Sequence, residues 1–184
     1  MKELYIKDMN RASIYFLIMV LTVSCMNNRR KNVPMNVPKE FDKTVLNSGL
    51  SDLKTSGGQL LYLPVYSNIP FQIDTGMFDM SAFVAIHNTD LDSKLCLTQV
   101  LYFNQAGKLV DDFLKGEKIC LDPLATREFY IPYEDRSGTG ANFLIEWKSD
   151  SLITEPLVES VTLCLKPNNT LAIRSEGRII REKK

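Results

Sequence analysis

A chain of 184 residues, 45% apolar and 24% charged, has the size of one domain with room for an appendage and is too apolar for a disordered protein. Its 22 basic residues balance 22 acidic ones, so there is no overall field to gather nucleic acid or anionic lipid, and binding of that general kind is disfavoured.

The N-terminus is the most informative stretch. Lys2, Lys7 and Arg11 give a basic start, diluted by Glu3 and Asp8, and residues Ala12 to Ser24 form an uncharged, mostly apolar run of thirteen. That length suits the apolar region of a signal peptide and falls short of the roughly 20 residues needed to cross a bilayer. The run ends Leu21-Thr22-Val23-Ser24-Cys25, with a small residue directly before a cysteine. It resembles the bacterial lipobox, in which the cysteine thiol receives diacylglycerol before cleavage; Thr22 stands where leucine is usual. The expected precursor thus comprises a lipoprotein signal peptide (1–24) and a lipidated N-terminus with palmitate-type chains on Cys25. A buried core segment and an uncleaved anchor are the alternatives. Each buried methylene adds about 0.8 kcal/mol, so two or three long chains anchor firmly. Cleavage leaves 19 basic against 20 acidic residues.

Residues 25–57 read as the lipidated end and a flexible tether, because two prolines, several asparagines and the cluster Arg29, Arg30, Lys31 follow the cysteine. The cluster is placed to touch anionic headgroups or to stay solvated. No acidic tract follows Cys25, which favours a lipid anchor in the cell envelope facing the periplasm. Phe41, Val45, Leu46, Leu50 and Leu53 share one face of a short helix if that stretch is ordered.

From Gln59 the period becomes two. Leu61, Leu63 and Val65 alternate with Tyr62, Pro64 and Tyr66, and Pro64 points to an edge strand with an aromatic edge at Tyr62 and Tyr66. Ala82, Val84 and Ile86 share a face. Leu95 to Phe103 is apolar on both faces and reads as central. Asn104 to Gly107 turns the chain into a hairpin, and Phe129 and Ile131 point together. Ala141, Phe143, Ile145 and Trp147 face one way, with Asn142, Glu146 and Lys148 opposite. Val161, Leu163 and Leu165 mark the next strand, and residues 171–180 form a closing hairpin around Gly177.

Short strands at about a dozen residues' spacing, with no helix of core length, predict an all-β domain at 58–182. The expected form is an antiparallel, immunoglobulin-like β-sandwich of about 7–9 strands, with a small β-barrel as the rival. Cys96, Cys120 and Cys164 allow three single pairings, and spacing does not choose among them. With no C-x-x-C present, they read first as small apolar strand residues.

The phrases GQLLYLPVYS (Gly58 to Ser67), IHNTD (Ile86 to Asp90), YFNQAGKLV (Tyr102 to Val110), LDPLAT (Leu121 to Thr126) and above all SGTGANFLIEW (Ser137 to Trp147) resemble the DUF3124 family. The resemblance spans Gly58 to Ile180 and departs from the pattern at Asn68 to Met80 and at His87. It implies a fold unit of bacterial exported proteins and no reaction.

No catalytic, cofactor or metal constellation stands out, so a non-enzyme is expected. His87, the single histidine, reads as a half-exposed sheet residue. Asp111 and Asp112 are adjacent on a strand, so their carboxylates diverge. Asp74 and Asp79 flank Gly76 without calcium-loop spacing. The loop Tyr133 to Asn142 carries the best binding candidates, Asp135, Arg136, Ser137, Gly138, Gly140 and Asn142, with turn chemistry the leading reading of the same residues and binding the second. The expected role is a binding module that meets an envelope protein partner. A small-ligand or carbohydrate-binding protein is the alternative.

Overall fold

Alternation of apolar and polar residues becomes strand wherever a second sheet supplies something to bury against. The computed structural model describes residues 39–42, 57–72, 76–166 and 169–182. Cys25 with its preceding apolar run, and Val45, Leu46, Leu50, Leu53, Asp74 and Asn168, lie outside the described residues.

Twelve strands occur among the described residues: β1 Gly57–Pro64, β2 Asn68–Gln72, β3 Gly76–Asp79, β4 Ser81–His87, β5 Leu95–Phe103, β6 Leu109–Asp112, β7 Ile119–Leu121, β8 Thr126–Ile131, β9 Asn142–Ser149, β10 Leu157–Lys166, β11 Asn169–Glu176 and β12 Arg178–Glu182. They form a six-stranded sheet, β12-β1-β9-β5-β6 with β7 also on β5, a four-stranded sheet, β11-β10-β4-β8, and the hairpin β2-β3. Every pairing is antiparallel. The domain is an antiparallel β-sandwich.

The core lies between the two sheets. Leu61, Leu63 and Val65, then Ala82, Val84 and Ile86, then Leu95, Leu97, Val100 and Tyr102, meet Phe129, Ile131, Phe143, Ile145 and Trp147. Tyr102 and Phe113 both pack against the Phe143 ring, with centroids 4.9 and 5.6 Å away. Trp147 Nε1 donates to Gln59 Oε1 at 3.2 Å, so the indole is buried with its one polar atom satisfied.

Several expectations change. The strand at Pro64 is not an edge: β1 lies between β12 and β9. Pairing with β12 stops at Tyr62, however, so Pro64 sits where one side of β1 has no neighbour and its missing N–H is tolerated. Residues 171–180 do not close a hairpin either. β11 pairs with β10 and β12 with β1, so the chain passes from one sheet to the other at Gly177. A Cβ there would meet Val158 Cβ at 3.1 Å and Leu61 Cδ2 at 3.3 Å, which is why the crossing takes a glycine. In β10 the inward residues are Val158, Ser160, Thr162 and Cys164, whereas Val161 and Leu165 are exposed. Gly76 and Asp79 are the first and last residues of strand β3, so the residues weighed as a calcium loop include a strand.

Cys96 and Cys120 form a disulfide and Cys164 is a buried free thiol. The two cysteines are directly opposite across β5 and β7, a juxtaposition set by register and invisible in spacing. Closing a separation of 24 residues restricts the unfolded chain by about 3.5 kcal/mol on the chain-entropy account.

Within the expected tether, Lys39 exchanges two backbone hydrogen bonds with Leu109, at 2.7 and 2.9 Å. Phe41 stacks edge-on against Phe103 with centroids 4.9 Å apart. This contact covers a second apolar cluster, Leu60, Leu101 and Phe103, on the outer face of the six-stranded sheet. The tether is therefore bound to the domain at these residues.

The face assignments have a direct check. Phe143→Ala should cost about 3–5 kcal/mol in urea unfolding, through lost burial and the cavity left behind. Leu165→Ala, on the open face, should stay within about 0.5 kcal/mol. Equal costs at the two positions contradict the assignment.

Candidate functional site

The loop that ranks first in the sequence is built into the fold. Asp135 Oδ1 accepts from the Tyr102 hydroxyl at 2.8 Å and from the Ser137 N–H at 2.9 Å, and Ser137 Oγ donates to Asp135 Oδ2 at 3.0 Å. The Gly138 N–H donates to Ser67 Oγ, and Ser67 Oγ donates to the Gly138 carbonyl. The Gln105 N–H donates to the Ser137 carbonyl at 2.9 Å, and Arg136 forms an ion pair with Asp79. Asn142 donates to the Gly140 carbonyl at 3.4 Å. The loop thereby ties the β5–β6 turn, the segment after β1 and strand β3 into one end of the sandwich. Gly138 has φ +102°, a conformation that favours glycine; a Cβ would only displace the end of the exposed Gln105 side chain. Gly140 and Arg136 remain exposed.

Tyr62 is exposed on β1, while Tyr66 lies beyond the strand and is half-buried, so the two do not form a strand edge. His87 faces outward as expected: Nδ1 shares a hydrogen bond with Thr126 Oγ1 at 2.9 Å, and Nε2 lies 3.4 Å from Glu159 Oε1. Asp112 Oδ1 accepts from the Leu114 and Lys115 N–H groups, the chemistry of a turn.

Sequence reasoning missed the outer face of the four-stranded sheet. Val161, Phe83 and Tyr130 are opposite one another on β10, β4 and β8, and Arg174 of β11 opposes Val161. The three apolar side chains are 36%, 44% and 49% exposed, and the Phe83 and Tyr130 rings lie 5.1 Å apart. Leu165 extends the patch at 73% exposure. On its flank, Glu159 binds Arg174 at 2.6 Å, and Arg174 also binds Glu176 at 2.7 Å. The signal was legible: Phe83 and Tyr130 are large apolar residues out of phase with the buried sets Ala82-Val84-Ile86 and Phe129-Ile131.

A second feature lies on the outer face of the other sheet. A cavity of ≈ 430 Å³ is lined by Cys96, Cys120, Thr98, Lys94, Lys118 and Lys148, with serines and Asp150. Beside it, Lys148 and Glu146 form a buried ion pair with Nζ 3.5 Å from Oε2. Thr98 Oγ1 donates to that same carboxylate oxygen. Glu146 and Lys148 face away from the inter-sheet core as expected, yet both are buried.

These features define an all-β antiparallel sandwich with one open apolar sheet face and one polar, disulfide-lined cavity. The chain belongs to the DUF3124 family, proteins of unknown function, whose model matches residues 58–180. No curated protein matches it. Among solved structures it is similar to Thermotoga maritima 1070, at 10% identity and a TM-score of 0.40, over 67% of this chain and 95% of that one.

The loop network carries a pH prediction. Burial, and then the charge of Asp135, push the Tyr102 phenol well above its ordinary value, so it stays protonated as a donor. A phenol raised in the folded state contributes stability that is complete below its ordinary pKa of about 10 and is lost as pH rises beyond it. Tyr102→Phe should lower unfolding free energy by about 1.5–3 kcal/mol near neutrality. The gap between wild type and variant in urea melts should narrow above about pH 10. A gap unchanged through alkaline pH contradicts this role for Tyr102.

Proposed function

We propose that this protein is a lipid-anchored interaction module of the bacterial cell envelope, tethered through Cys25, facing the periplasm and binding a partner protein without catalysing a reaction. The observation that carries the reading is the exposed row Val161–Phe83–Tyr130 on a rigid sheet. Exposed apolar patches with a polar rim mark protein interfaces, and adjacent aromatic rings supply contact area at low entropic cost. Here Glu159, Arg174 and His87 provide the rim. The loop at Asp135–Asn142 serves in this reading as the brace that holds one end of the sandwich rigid.

A carbohydrate site is less well supported. Such sites are concave and aromatic-lined, whereas the described lining of the ≈ 430 Å³ cavity contains no aromatic side chain.

Both halves of the proposal have an in-cell test. A photo-crosslinking amino acid at Phe83 should give a discrete protein adduct that disappears with Tyr130→Ser, while the same probe at Leu152, 86% exposed and distant in sequence, gives none. Equal capture at both positions defeats the interface. Cys25→Ser should abolish palmitate labelling and release the protein from membranes; unchanged membrane retention defeats the anchor.

A further inference from the structure

We propose that the Cys96–Cys120 disulfide is a site of thiol–disulfide exchange, reduced by a dithiol that enters the adjoining cavity, with Lys148 stabilising the departing thiolate of Cys96. The inference does not rest on the docking face, which belongs to the other sheet.

Register places the groups. Cys120, Cys96 and Lys148 lie opposite one another in a single row across β7, β5 and β9. Directly opposed side chains in an antiparallel pair stand about 4.5–5.5 Å apart at Cβ. The row ends on β1 at Gly58, where a Cβ would approach Trp147 O to 2.9 Å and Lys148 Cγ to 3.3 Å, so the missing side chain leaves room for the lysine stem. The Lys148 side chain is only 5% exposed and is held by Glu146. Lys94 and Lys118, each two residues before a cysteine, line the same cavity. The carboxylates nearby are Glu146, one row further along β9, Asp150 in the lining, and Asp122, which binds Lys94 at 2.8 Å.

Cations beside a sulfur favour its thiolate, and exchange is faster when the leaving thiolate is stabilised. The two sulfurs differ in the required sense, since Cys120 is exposed and Cys96 half-buried beside Lys148. In the first step one thiolate of the incoming dithiol attacks Cys120 Sγ. The Cys96–Cys120 bond breaks and its electron pair stays on Cys96 as thiolate. In the second step the other dithiol thiolate attacks the incoming sulfur of that mixed disulfide and releases Cys120 as thiolate. The reductant leaves as its own disulfide, its two protons pass to the cysteines, and two electrons have moved to the protein. Reduction need not unfold the sheet, because Leu95↔Leu121 and Leu97↔Ile119 flank the pair and bury against the core.

The experiment uses the folded full chain with dithiothreitol, following free thiols by alkylation and mass spectrometry and the packing of Trp147 by near-ultraviolet circular dichroism. The expected result is a reduction rate linear in dithiothreitol with the Trp147 signal intact, and a rate about tenfold lower for Lys148→Gln. A rate independent of reductant, set by unfolding, overturns the proposal, as does an unchanged rate in a folded Lys148→Gln. The wild-type protein supplies a second measure free of folding effects: anionic glutathione should react faster than cationic cysteamine at low salt, and the ratio should fall as salt rises. A ratio insensitive to salt also overturns it.

Discussion

Strand β9 must bury both of its faces, and the rest of the architecture is arranged around that constraint. Phe143, Ile145 and Trp147 fill the inter-sheet core, while Leu144, Glu146 and Lys148 lie on the opposite face under further cover. A central strand with neighbours on both sides has no free backbone edge, so its side chains decide what must be covered. An apolar outer face calls for Phe41 and its neighbours to pack on Leu60, Leu101 and Phe103. A charged outer face calls for the Glu146–Lys148 pair with a hydrogen bond from Thr98. Removing Lys148 alone would leave the buried Glu146 carboxylate without its ion-pair partner, a larger cost than losing the pair together.

One sheet is covered on its outer face and the other is left open. The six-stranded sheet carries the docked Lys39–Phe41 segment, the ion pair, the disulfide and the cavity beside it. The four-stranded sheet presents Val161, Phe83 and Tyr130 to solvent. At one end, the hydroxyls of Ser67 and Tyr102 and the Gln105 N–H knit the loop at Asp135–Gly138 to the segment after β1 and to strand β5 and its turn, so the two sheets are braced at the long β8–β9 connection.

Much of this was legible from residue order alone. Strands β1, β4, β8 and β9 announce themselves by period-two alternation and β5 by its continuous apolar run, and the inward residues Leu63, Val84, Phe129 and Ile145 follow from the alternation. What failed to read was whatever depends on a partner strand. In β10 both faces carry apolar residues, and only packing against the other sheet selects Val158 and Cys164 as interior and leaves Val161 outside. The disulfide needed the register of β5 against β7. Gly177 looked like a hairpin turn because a turn and a sheet-to-sheet crossing ask for the same small residue. The binding candidates at Asp135 and Ser137 carry the right chemistry for a ligand, and the same chemistry holds a buried tyrosine and a tight turn.

The central claim is that the four-stranded sheet's outer face is the working surface. Oxidative footprinting of the protein in intact cells and in purified form addresses it directly, with exposed Tyr133 as the internal reference. The account predicts that Phe83 and Tyr130 are oxidised readily in the purified protein and are protected in cells relative to Tyr133. Equal oxidation of Phe83 and Tyr130 in both settings would contradict it.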